Sequence, residues 1–177
     1  MEKIEITKEF IKKWSPRYDE PSIGGDEPDY KMILTKVQEE LTTNKTLTKE
    51  TFTNIIKWKS LRAMGKVDWN NFQFYQTAIQ YVPEVPDELK LSLVCGLDGV
   101  GLPVGSTILH FMYPDTFPIV DYRVTEVLHD AGLLPWYTIS KKTYRKYKAV
   151  IEEFVKQTGC NIRTIDRALF SFHKLNY

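Results

Sequence analysis

Two stretches of this sequence hold residues whose types and spacing could do chemistry. The first is Leu97-Asp-Gly-Val-Gly-Leu-Pro-Val-Gly-Ser106. Gly99 and Gly101 allow a sharp reversal and the close approach of another backbone. The apolar helix leaving that reversal presents N–H groups with no partner inside the helix, an arrangement suited to a phosphate. Pro103 has no N–H to lose and carries a helical φ, so it fits the first turn. Gly99, Val100, Gly101, Leu102, Pro103 and Val104 are therefore candidate contacts to a nucleic-acid backbone, held without reading base sequence. The same pattern also serves as an ordinary turn between two core helices. The second stretch is Ile119-Val-Asp-Tyr-Arg-Val124, which follows a loop with prolines at 114 and 118. Asp121 opens a helix there, where a carboxylate caps the first turn. It could equally stabilise a developing positive charge or orient a water. Asp115 and Asp130 read as solvated residues.

Other side chains could assist. Lys59, Arg62 and Lys66 fall at i, i+3 and i+7, which puts them on one face if residues 58–66 are helical. Lys141, Lys142, Arg145 and Lys148 form a similar set beside Tyr144 and Tyr147. Either set could contact phosphates or simply face water. Trp58, Trp69 and Trp136 could stack on a base, although tryptophans more often fill cores. His110 reads as a packed residue.

The elements that must position these groups are helical. Apolar residues recur at helical spacing over 4–14, 30–41, 52–56 and 144–158. Ser15-Pro16 is expected to stop the first helix. Residues 19–29, with two prolines and Gly24-Gly25, are expected to be a loop. Thr48 is expected to cap a helix, which continues or restarts over 58–66 and ends near Gly65. Further helices are expected at 70–81, 88–95 with Asp87 as cap, 104–112, 121–128, 140–158 and 164–175. No stretch alternates as a strand would. The expected fold class is all-α, with about eight to ten helices.

Composition limits the function classes. The 177 residues hold 24 basic and 23 acidic side chains, so any nucleic-acid surface must be a local patch. Hydrophobic residues make up 42%, enough for a core. Cys95 and Cys160 supply neither a disulfide framework nor a metal clip, and an iron–sulfur cluster needs four cysteines. The three histidines lie singly, so no structural metal is expected. Residues 1–13 do not read as a signal peptide, and no apolar run reaches the ~20 residues of a membrane span. A cytoplasmic chain is expected, nucleoid-associated if bacterial.

The segment 85–128, a quarter of the chain, resembles the helix-hairpin-helix, Gly/Pro-loop, Asp signature of the DNA glycosylase superfamily that includes endonuclease III and the adenine glycosylases. In that family a Leu-Pro-Gly-Val-Gly hairpin precedes an apolar helix, a Gly/Pro loop and a catalytic Asp at the head of a helix. Asp121 lies 22 positions after Gly99, the family's spacing, and Phe117-Pro-Ile-Val-Asp121 is similar to the adenine-glycosylase loop. The resemblance implies a two-lobed helical fold, one domain over 1–177 with its hairpin core at about 86–128. It implies DNA as partner and hydrolysis of the N-glycosidic bond of a damaged or modified base, with Asp121 catalytic. Trp58-Lys-Ser-Leu-Arg62 sits where the family has a basic helix. Two positions depart from the pattern: Asp98 replaces the hairpin proline, and Pro103 stands where bifunctional members carry a nucleophilic lysine. A proline cannot form a Schiff base, so a monofunctional enzyme is implied. No cofactor is implied beyond, at most, a monovalent cation at the hairpin. A monomer without an obligate protein partner is expected. The alternatives are a non-enzymatic DNA-binding protein that keeps the hairpin, and a helical protein-interaction module in which the hairpin is structural.

Overall fold

A computed structural model describes residues 4–177, and among them every regular element is helical, as expected. The chain divides into two compact units, Pro28–Tyr113 and the remainder on either side of it. The segment 86–128 is shared between them, the hairpin in one unit and Asp121 in the other.

The Pro28–Tyr113 unit is built from α2 (Glu27–Asn44, whose first residue belongs to the other unit), α3 (Lys49–Lys59), α4 (Phe72–Tyr81), α5 (Asp87–Val94) and α6 (Leu102–Met112). Every residue of α6 from Val104 to Met112 is buried, so this helix is the unit's axis rather than an amphipathic surface element. Tyr30, Trp58 and Phe111 pack ring against ring, and the Tyr30 hydroxyl lies 2.8 Å from His110 Nε2. His110 is thus the packed residue its sequence position suggested. Thr48 caps α3 as expected. Behind it the buried Glu40 carboxylate accepts from Thr48 N, Thr48 Oγ1 and Thr51 Oγ1, at 2.7, 2.8 and 2.7 Å. Such a carboxylate is tolerable only because its lone pairs are used.

Three local expectations fail here, each for a physical reason. The helix does not run through 58–66: Ser60 adopts φ −164°, ψ 103°, and Leu61–Lys66 is a 3-10 turn. The Met64 carbonyl is taken by the Trp69 indole N–H at 2.8 Å rather than by a continuing helix. Lys59, Arg62 and Lys66 therefore do not share a helix face. Asp87 is not the cap of α5 but its first residue, and it pairs with Lys90 at 2.9 Å. Asp29 lies within α2, not in a loop, because Pro28 is tolerated in a first turn.

The other unit contains α1 (Lys8–Trp14), α7 (Tyr122–Asp130), α8 (Tyr144–Thr158) and α9 (Ile162–Asn176). α1 ends at Trp14, where Ser15-Pro16 is expected to stop it, and Pro16 does not break the chain's order there. It enters a 3-10 turn, Ser15–Asp19, where a missing N–H costs nothing. α9 packs on that turn and on α1, α7 and α8. Buried Arg163 links α9 to Glu27 at 3.0 Å and pairs within α9 with Asp166 at 2.6 Å, with its guanidinium over the Tyr18 ring. α8 begins at Tyr144, so Lys141 and Lys142 sit in the preceding turn and the second basic set is not one face either. Lys148 pairs with Glu152. No helix among the described residues is long and apolar enough to cross a membrane.

Candidate nucleic-acid interface and carboxylate site

α5 ends at Val94, and the chain reverses through residues 95–101 into α6. Gly99 has φ +78°, a conformation open to glycine at little cost. A Cβ at Gly99 would also lie 2.5 Å from the Lys66 carbonyl carbon and oxygen and 2.7 Å from Val67 N. The backbone that approaches Gly99 is therefore the protein's own, at the end of the 61–66 turn. Gly101 differs: it has φ −74° and a Cβ there would meet nothing within 4 Å. The two glycines thus divide the work, one closing the turn against the protein and the other leaving space above the start of α6. At Gly105 a Cβ would meet Cys95 Sγ at 2.5 Å, which holds the end of α5 tightly on α6.

The start of α6 carries no side-chain cap. Gly101 and Pro103 are exposed and Leu102 half-buried, whereas Val100 and Val104 are buried. The two valines can therefore offer a ligand only their backbone. A groove runs along this turn, walled by Ser60, Arg62, Ala63 and Lys66 on one side and by the chain from Cys95 to Val104 on the other. Arg62 and Lys66 are exposed in it, and so is Asp98, whose charge works against an anion. Lys59, half-buried, is not among its walls. The break at Ser60 destroys the helical face but brings two of the three cations to the hairpin. Tyr75, which sequence reasoning passed over, braces the turn: its hydroxyl donates to the Asp98 carbonyl at 2.8 Å and accepts from Asp68 N at 3.0 Å. Burial pushes its phenol pKa up.

In the other unit, Asp121 caps α7. Its Oδ1 accepts the Arg123 N–H at 3.0 Å, and its backbone is extended at φ −132°, ψ 136°. The carboxylate is 17% exposed, enough to reach a ligand while held by the cap. Arg123 Nη1 lies 3.8 Å from the same oxygen, with its guanidinium over the Tyr122 ring at 4.4 Å and the Phe170 ring at 5.3 Å. Tyr122 is 59% exposed immediately beside Asp121. Phe117, Pro118, Ile119 and Val120, which lead into Asp121, are all buried. Two tyrosines of α8 hold this segment. Tyr144 Oη donates to the Pro118 carbonyl at 2.8 Å, and Tyr147 Oη to the Ile119 carbonyl at 2.6 Å.

Of the tryptophans weighed as base stackers, Trp58 and Trp69 pack within their unit and Trp136 is exposed with Lys146 over its ring. Among the described residues no His, Cys, Asp or Glu side chains group as a metal site. No family model, curated protein or solved structure matches this chain.

Proposed function

We propose that this chain is a two-lobed helix-hairpin-helix protein of the DNA glycosylase type, which binds duplex DNA and hydrolyses the N-glycosidic bond of a damaged or modified base. The observation that carries this reading is the groove in which the uncapped start of α6, open above Gly101, shares walls with Arg62 and Lys66. A DNA phosphate there would meet helix N–H groups and two cations together. With the backbone held, the target nucleotide is flipped from the stack. Cleavage of the C1′–N bond leaves positive charge on the sugar, which the Asp121 carboxylate stabilises. The same carboxylate takes a proton from the water that adds to C1′ and releases it to solvent afterwards, while the departing base takes up a proton from solvent. Pro103 supplies no amine, so no lyase step runs through that position.

The near approach of Arg123 to Asp121 favours a second reading, a non-enzymatic DNA-binding protein, because a guanidinium at 3.8 Å offsets the carboxylate's charge. The two separate cleanly. The wild-type protein is incubated with duplexes carrying uracil, 8-oxoguanine, N3-methyladenine or 5-methylcytosine, then with alkali. The enzymatic reading expects strand cleavage after alkali only, on at least one duplex. Binding without any alkali-labile site supports the second reading. Absence of salt-dependent binding to any duplex leaves a protein-interaction module.

A further inference from the structure

The extended segment that delivers Asp121 is tied down on both sides of that residue. Downstream, Asp121 Oδ1 accepts the Arg123 N–H at 3.0 Å and the Asp121 carbonyl accepts Thr125 N at 3.0 Å. Upstream, the carbonyls two and three positions earlier are held by hydroxyls from α8, Ile119 by Tyr147 and Pro118 by Tyr144. The two tyrosines are i and i+3 on α8 and so lie one above the other on the same face. Both are buried, Tyr147 at 1% exposure. Residue 118 is a proline with no N–H of its own, so the segment cannot be fixed there by donating. Burial, and after it the charges of Asp166, Tyr144 and Asp121, push the Tyr147 phenol well above its ordinary value, so the hydroxyl stays protonated and able to donate.

We propose that Tyr144 and Tyr147 are positioning residues that set the direction of the Asp121 carboxylate by holding the two carbonyls upstream of it. Its catalytic consequence rests on the glycosylase reading; its geometric content does not. A carboxylate acting on a short-lived cation must sit within about half an ångström and 10–20° of its working position. A displacement of about 1 Å costs on the order of 10²-fold in rate. Removing one hydroxyl leaves the other tether, so single variants should lose severalfold and the double variant about 10²-fold.

The test uses Tyr144→Phe, Tyr147→Phe and the double variant, each of which keeps the ring in the core. The first readout is hydrogen exchange of two amides of the free protein. Arg123 N–H reports the Asp121 side chain, and Thr125 N–H reports the Asp121 backbone. The second is the single-turnover rate on whichever of the four modified duplexes the wild type cleaves, with affinity for an unmodified 20-base-pair duplex as control. The expected result is a selective, at least tenfold loss of protection at Arg123 in the double variant, with a parallel fall in rate and affinity within twofold. A selective loss at Arg123 in a protein whose wild type releases no base supports the positioning role and rejects the glycosylase reading alone. Unchanged Arg123 protection, or equal loss at Arg123 and Thr125 with a lowered Tm, shows the tyrosines to be mere packing and overturns the proposal. If the double variant does not fold, a selective severalfold loss of Arg123 protection in Tyr147→Phe supports the proposal, and unchanged protection there overturns it.

Discussion

Substituting alanine at Gly99 and at Gly101 should give opposite results, although the two positions are two residues apart. At Gly99 the new Cβ must occupy a left-handed backbone, which costs about 1–2 kcal/mol. It must also displace the Lys66 carbonyl, 2.5 Å away, and backbone yields less readily than a side chain. Overpacking of that kind costs typically 1–3 kcal/mol, so Gly99→Ala should lose about 2–5 kcal/mol. That is a large share of the ~5–15 kcal/mol stabilising a typical domain. At Gly101, φ is −74° and the space is open, so the Cβ clashes with nothing. Alanine is a poorer cap than glycine but restricts the unfolded chain, and the two effects leave a change within about 1 kcal/mol. Urea denaturation with circular dichroism and tryptophan fluorescence measures both. A roughly 2–4 °C fall in Tm per kcal/mol provides a second scale at this chain length. Equal stability of Gly99→Ala and wild type would refute the argument that the turn is locked against Lys66.

The other predictions concern charge. Arg62→Gln with Lys66→Gln should flatten the slope of log affinity against log salt by about 0.9 for each lost phosphate contact, whereas Lys59→Gln should leave it nearly unchanged. A slope unmoved by the Arg62 and Lys66 changes would show them to be solvated bystanders. Alkaline pH should unfold the protein progressively. The phenols of Tyr147, Tyr18, Tyr75 and Tyr113 are all raised from the ordinary value of 10.0, chiefly by burial. A raised folded pKa contributes stability that is complete below about pH 10 and is lost as pH climbs through the folded value. Denaturation midpoints should therefore be flat up to about pH 10 and fall above it, less steeply in Tyr147→Phe.

Much of the helix pattern was legible because its signals are local. Thr48 and Asp121 cap where a short polar side chain precedes an apolar stripe, and α8 ends at Thr158 as its apolar spacing indicates. What escaped depends on partners distant in sequence. The break at Ser60 belongs with the Trp69 indole on Met64 and with the Gly99 turn lodged against Lys66. No periodicity of 58–66 encodes either, so the cations were placed on a helix face that does not exist. Arg163 finds Glu27 across 136 positions. Tyr144 and Tyr147 read as core residues at helical spacing, and they are; that their hydroxyls meet consecutive carbonyls ahead of Asp121 is a matter of tertiary register. The roles of the two glycines were half-legible. The sequence shows that a tight turn is there, but not which glycine faces the protein and which faces out.

If Asp121 acts on a cationic sugar, as we propose, a single-turnover comparison of wild type with Asp121→Asn must show it. Asparagine caps helices about as well as aspartate, so α7 should keep its start and the fold its stability. It carries no charge with which to stabilise the oxocarbenium-like state. On the duplex that wild type cleaves, base release should fall by at least about 10²–10³-fold, the value of a single oxyanion-hole donor. DNA affinity should be equal or tighter, since the variant carries one negative charge fewer to repel a polyanion. A folded Asp121→Asn protein that releases base at the wild-type rate would contradict the claim.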